Sequence, residues 1–305
     1  MSSEPPVYPG LYLPRTKFQH RYRTHVILFV MTLLTATAAG TSMTLDPNQS
    51  RGLTLSLLLG GLWYSIPLLV ILGAHEFGHY FYCRKHDVDA TLPYFLPFVP
   101  ILTGTLGAVI RIREAFPSKK ALFDIGVAGP IAGFVALIPF LYLGISMSQV
   151  AAIPPDAGAI YFGDPMLLKF FSWLHFGPLP EGQDIVLHPM GFAAWWGMLA
   201  TALNLMPFGQ LDGGHIAYAV FGRRASLISL ATLSVVILLT FRSTSWISVT
   251  VMMVVMAFFL GVRHPRIVDE HEPLDQTRLL IAAIALAIFV VCFTPVPIQT
   301  FLPGK

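Results

Sequence analysis

Apolar residues run along this chain in long blocks, and block length decides what they can be. A bilayer core about 30 Å thick needs roughly 20 apolar residues in helix. Seven blocks approach that length, at approximately 25–44, 53–82, 121–147, 189–208, 225–241, 246–262 and 279–298. The fifth is short and the fourth is interrupted near Pro207, so six to eight spans are expected. The expected fold class is an all-α polytopic membrane protein.

The stretch 87–113 breaks this pattern. It is apolar but carries Pro93, Pro97, Pro100, Gly104 and Gly107, and proline at such intervals forbids a continuous helix. From Ala108 to Arg113 the residues alternate, Val109 and Arg111 against Ile110 and Ile112. A small membrane-associated β-hairpin or re-entrant loop is expected there. Irregular backbone at membrane depth requires surrounding protein or a water-filled cavity, so a cavity is implied. The loop 148–188, with Asp156, Asp164, Glu181 and Asp184 against Lys169, reads as an irregular cap. No internal repeat is visible. The organisation expected is a cytoplasmic tail (1–24), a first span with its outer loop (25–52), a core (53–224) and C-terminal helices (225–305).

Composition agrees with the blocks. Of 305 residues, 55% are hydrophobic and 11% charged, against about a quarter charged in soluble domains. Mean hydropathy is +0.68. The net charge of +3 says little, but its distribution says more. With the N-terminus inside and seven spans threaded, fifteen Lys and Arg fall on the inner side. Only Arg51, Lys169, Arg242 and Lys305 fall outside. That bias marks the inner side as cytoplasmic, and an inner cell membrane is expected. The first 24 residues are polar and proline-containing, which gives no expectation of a cleaved signal peptide. Cys83 and Cys292 fit neither a disulfide framework nor a thiolate metal site, and read as buried, inert thiols.

The chemistry concentrates at the end of the second block, His75-Glu76-Phe77-Gly78-His79. Residues four apart on a helix share a face, so two imidazoles can hold one metal while Glu76 between them acts as general acid/base. Zinc suits imidazole and carboxylate ligands, and a catalytic site keeps one position open for water. Ionisable groups in a membrane segment are costly and are functional candidates by default. A third ligand must come from elsewhere. Asp124 opens the third block, and Asp212 stands at the inner end of the fourth, where proline and paired glycines bend the backbone. By the threading above, Asp212 and His79 lie at similar depth. A plain turn aspartate is the bland alternative for Asp212.

His75-Glu76-x-x-His79 together with Asn204-x-x-Pro207-x-x-x-Leu211-Asp212-Gly213 resembles the site-2 protease family of intramembrane zinc metalloproteases (peptidase family M50). The resemblance implies His75, His79 and Asp212 as ligands of one Zn2+ and Glu76 as the general acid/base. Gly129-Pro130-Ile131-Ala132-Gly133 looks like the family's GPxxG packing motif, and the segment around Gly104 and Gly107 like its membrane hairpin. No stretch suits an inserted PDZ-like module, so the chain resembles the short-loop branch of cyanobacteria, plastids and archaea. Asn204 is expected to bind the substrate carbonyl or to satisfy carbonyls freed by Pro207. His215 is expected to support the site rather than ligate.

The expected activity is hydrolysis of a peptide bond in or near a transmembrane segment of a membrane-protein substrate. A helical substrate must unwind to be cut, and an edge strand within 104–112 could hold it extended by strand addition. Gly104, Gly107, Asn204 and Pro207 are therefore the candidate substrate-binding residues. The expected partners are this substrate and the lipid bilayer, and no nucleic acid. Two other readings are a membrane zinc-binding protein or transporter, and a silent scaffold that grips membrane helices. Repeated halves expected of a transporter are not found. The charged stretch 263–272, from Arg263 and His264 to His271 and Glu272, reads as a solvated inner loop.

Overall fold

The computed structural model describes residues 16–44, 55–99, 103–152, 160–261, 267–269 and 272–300. Arg51, Pro100, Asp156, Arg263, His264, His271 and Lys305, named above, lie outside the described residues.

Each of the seven apolar blocks forms a helix. They are α1 (Tyr22–Thr44), α2 (Leu55–Lys85), α3 (Lys119–Ser146), α5 (Pro189–Leu205), α7 (Ala225–Arg242), α8 (Trp246–Leu260) and α9 (Gln276–Cys292). Among the described residues two further helices, α4 (Met166–Phe176) and α6 (Asp212–Phe221), lie between them. Among the described residues, four stretches are long and apolar enough to cross a membrane: Tyr22–Met43, Leu55–Lys85, Lys119–Ser146 and Asp212–Arg242, with Trp246–Phe259 and Gln276–Cys292 shorter. The fourth joins α6 to α7 through a 3-10 turn, Gly222–Arg224. Outward faces are apolar, as in Val26 and Leu34 of α1, Phe241 of α7, and Phe258 and Phe259 of α8. Such surfaces suit lipid, where backbone polar groups are satisfied within each helix.

The spans pack through small residues, which let helix backbones approach. A side chain at Gly61 would meet the Thr37 carbonyl, one at Gly78 the Ala128 carbonyl, and one at Gly144 the backbone of Gly191. These three contacts bring α1 to α2, α2 to α3 and α3 to α5. α3 is the most buried of the four long stretches and is the axis of the bundle. Cys83 and Cys292 are both free and fully buried.

Among the described residues there are three two-stranded sheets rather than one hairpin. β1 (Tyr94–Pro97) pairs antiparallel with β2 (Thr105–Val109), Tyr94 opposite Val109 and Leu96 opposite Gly107, with a register shift at Leu96/Pro97. The strand begins earlier than the alternation at 108–113 suggests. It continues through a bridge from Ala90 to Ile112. The loop expected to be irregular holds β3 (Gln149–Ala152), α4 and β5 (Gln183–Val186), with β3 paired to β5. β4 (Ile160–Phe162) pairs with β6 (Ile298–Thr300), tying this cap to the C-terminal end.

Candidate metal centre

α2 carries His75 and His79 one turn apart, so both imidazoles face α3. Their Nε2 atoms are 3.1 Å apart. Asp212 brings its Oδ2 to 3.2 Å from His75 Nε2 and 3.3 Å from His79 Nε2. Four-coordinate zinc with bonds of about 2.0–2.1 Å places its ligand atoms about 3.3 Å from one another. The donor triangle is of that size, and it mixes imidazole with carboxylate. Among the described residues it is the one group of three His, Cys, Asp or Glu side chains able to share an ion.

Asp212 does not sit on a bent end of the fourth block, as the sequence suggested. It is the first residue of α6, a separate helix. Pro207 and Gly209, the latter at φ +53°, break the chain after α5, because proline offers no N–H and glycine alone takes that φ freely. A carboxylate in a first helical turn also faces the positive end of the helix dipole.

His79 is oriented from behind. Its Nδ1 lies 2.7 Å from the Ile125 carbonyl of α3, and a carbonyl only accepts. The ring proton therefore sits on Nδ1 and the Nε2 lone pair points into the triangle, the usual second partner of a metal-binding histidine. α3 also makes room for both rings. A methyl at Gly129 would lie 2.1 Å from His79 Nε2, and one at Gly133 would lie 3.1 Å from His75 Cβ. The two glycines are four apart, matching the two histidines they face. That shared spacing was a readable signal for their pairing, beyond the general packing role their motif suggested.

Glu76 lines the same cavity of about 280 Å³, with Ala108, Val109, Ile110, Ile112, Gly126, Asn204, Gln210 and His215. Its Oε2 accepts the Ile110 N–H at 2.9 Å, so the residue after β2 holds the carboxylate. Sequence reasoning had no signal for this contact, nor for the Ile125 carbonyl, because both use backbone atoms. His75, Glu76 and His79 are all buried.

Asn204 Nδ2 lies 3.3 Å from His75 Nε2, which places this amide at the triangle. The other residues expected to bind substrate are apart from the cavity lining. The Pro207 carbonyl accepts from Thr232 at 3.3 Å. The Gly104 carbonyl accepts from Thr35 at 2.6 Å, docking the hairpin on α1. Gly107 has φ +104° and open space at its Cβ position. The cavity takes the second half of the segment 104–112 rather than its glycines. His215 lines the cavity against Gly126 and packs edge-on to Phe116, ring centroids 5.5 Å apart. Asp124, the rival third carboxylate, is bound instead by Arg278 and His86.

The family model for Peptidase family M50 matches residues 63–243. A rice (Oryza sativa subsp. indica) protein named "Probable zinc metalloprotease EGY2, chloroplastic" is 31% identical over 266 residues, 86% of this chain and 48% of that protein. The Arabidopsis thaliana protein of the same name is 34% identical over 174 residues, 56% of this chain and 31% of its own length. "Probable zinc metalloprotease EGY1, chloroplastic" of Arabidopsis is 28% identical over 236 residues, 70% and 42% of the two chains. The chain thus spans about half or less of the length of these relatives. No solved structure matches.

Proposed function

The chain belongs to peptidase family M50, and from that premise we propose that it is an intramembrane zinc endopeptidase that cuts a transmembrane protein substrate. The observation that carries this reading is the triangle of His75, His79 and Asp212, its histidines buried and its aspartate partly so, with Glu76 in the same cavity. Relatives named zinc metalloproteases support both the metal and the activity.

His75 and His79 would hold zinc through Nε2 and Asp212 through Oδ2. Zinc bound there acts as a Lewis acid, acidifying water and polarising the scissile carbonyl. Glu76 takes a proton from the attacking water on its carboxylate and returns it to the leaving amine. The Ile110 N–H fixes where that carboxylate sits. Asn204 stands beside His75, where its amide can donate to the carbonyl oxygen as charge develops there. Burial of His75, Glu76 and His79 lowers the local dielectric and strengthens each interaction they make.

The substrate enters as an extended strand. β2 is paired to β1 on one side, and Ala108 to Ile110 border the cavity. Strand addition supplies the hydrogen bonds that an unwound substrate helix gives up. Val109→Pro is expected to lower cleavage about a hundredfold by misplacing the substrate while zinc content stays at the wild-type level. Unchanged cleavage would remove the clamp from the mechanism.

Six to eight spans with a cytoplasmic N-terminus in a cell's inner membrane fit the Lys and Arg bias and the seven apolar helices. Labelling of single cysteines on either side of the membrane tests that threading; an outward-facing Arg84–Lys85 region would refute it. The activity itself is tested with purified protein in detergent, a reporter transmembrane helix and a zinc assay. Wild type should cleave and hold one zinc, and Asp212→Ala should lose both. Stoichiometric zinc in Asp212→Ala would rule the triangle out as the site.

A further inference from the structure

Outside the triangle, three elements meet at one carboxylate. Asp124, in the second turn of α3, is 7% exposed. Arg278, in the first turn of α9, donates to it twice, from Nε to Oδ1 at 2.8 Å and from Nη2 to Oδ2 at 2.6 Å. His86, just beyond α2, brings Nε2 to 2.9 Å from the same Oδ2. Arg278 is itself fixed, because Asp275 accepts its backbone N–H at 3.0 Å and pairs with its guanidinium. A bidentate guanidinium–carboxylate pair sets direction as well as distance.

The lead-in to α9 follows the start of α3 as well. The N–H groups of Val268 and Asp269 donate to the carbonyls of Phe116 and Pro117, each at 3.1 Å. Ser118 forms a parallel bridge to Asp269, and Lys120 pairs with Glu272. Contacts of three kinds therefore hold the start of α3, from the residues before it through its second turn, to the C-terminal part of the chain.

That turn adjoins the metal site. Ile125, next to Asp124, supplies the carbonyl that holds His79 Nδ1. Gly126 packs on His215, and Gly129, one turn on, packs on the His79 ring. A slide or rotation of this part of α3 displaces the acceptor that orients His79 and the surface its ring rests on. α9 lies beyond residues 63–243, the part the family model matches.

We propose that Arg278 is a positioning residue for the metal centre: by clamping Asp124 it holds the α3 turn whose Ile125 carbonyl aims His79 into the triangle. The proposal rests on reading the triangle as a zinc site. It differs from a plain structural brace in predicting a change in zinc affinity. Orienting partners of metal ligands commonly contribute 10–100-fold to affinity.

The test is zinc affinity of the purified full chain by chelator competition, with thermal midpoints alongside. Arg278→Met and Asp124→Asn should each weaken zinc binding about tenfold. The double variant should be no weaker than the weaker-binding single, since both remove one contact, and Arg278→Lys should fall between Met and wild type. Lowered midpoints with zinc affinity within about twofold of wild type, well below that range, would overturn the proposal. Coupling is reciprocal, so zinc added to the wild-type protein should slow amide exchange in the first turns of α9. Unchanged exchange there would also overturn it, even where a variant fails to fold. Asp212→Ala serves as the control: undiminished zinc affinity in it would strike the triangle itself, whereas its loss beside unaffected Arg278 variants would strike only the clamp.

Discussion

Glu76→Gln is expected to leave zinc bound at the wild-type level and to reduce cleavage of a reporter helix by about 10²–10⁴-fold, the usual contribution of a positioned general acid/base. Glutamine has the same shape, and its side-chain oxygen can still accept the Ile110 N–H that Glu76 accepts at 2.9 Å. Glu76 is not one of the three donors of the triangle, so the metal loses no ligand. What disappears is a group that can take and return a proton. Zinc assay and single-turnover cleavage on one preparation separate the two effects. Full activity in Glu76→Gln would refute its role, and loss of zinc would show that the carboxylate serves the metal instead.

Adding one methyl group at Gly129 should have an effect of similar size by a different route. The new Cβ would lie 2.1 Å from His79 Nε2 and 2.5 Å from Cδ2 and Cε1 of the same ring. Gly129 lies within α3, the most buried of the long stretches, so its backbone has little freedom to retreat. The ring cannot swing aside either without breaking the 2.7 Å bond from Nδ1 to the Ile125 carbonyl. Gly129→Ala is therefore expected to lower zinc affinity about a hundredfold or more, at the upper end of effects on the groups that orient a ligand. Overpacking should cost about 1–3 kcal/mol of stability as well. Gly133→Ala meets His75 Cβ at 3.1 Å, a contact relieved by a small shift, and should be much milder. Wild-type zinc affinity in Gly129→Ala would show that the two helices separate easily, against the close packing described here.

The seven apolar helices and the chemical groups were legible in the chain itself. Each apolar block forms a helix, because length and hydropathy are local properties and a helix satisfies its own backbone anywhere in a bilayer. The pairing of His75 with His79 was equally local, since a spacing of four puts side chains on one face. The assignment of Asp212 over Asp124 rested partly on resemblance, and the structure brings only Asp212 to the two imidazoles.

Other features depended on which backbones lie side by side. Ile110 reaches Glu76 and Ile125 reaches His79 through main-chain atoms, which every residue possesses and no side-chain pattern reports. The folded cap between α3 and α5 needed β6, more than a hundred residues away, to pair with β4. Gly104 read as a candidate for gripping substrate, yet it seats the hairpin against α1. The clamp on Asp124 draws on residues 154 positions apart. Sequence fixes which groups are present and their local faces; only packing sets the few ångströms between groups on different helices, and the candidate metal centre depends on those distances.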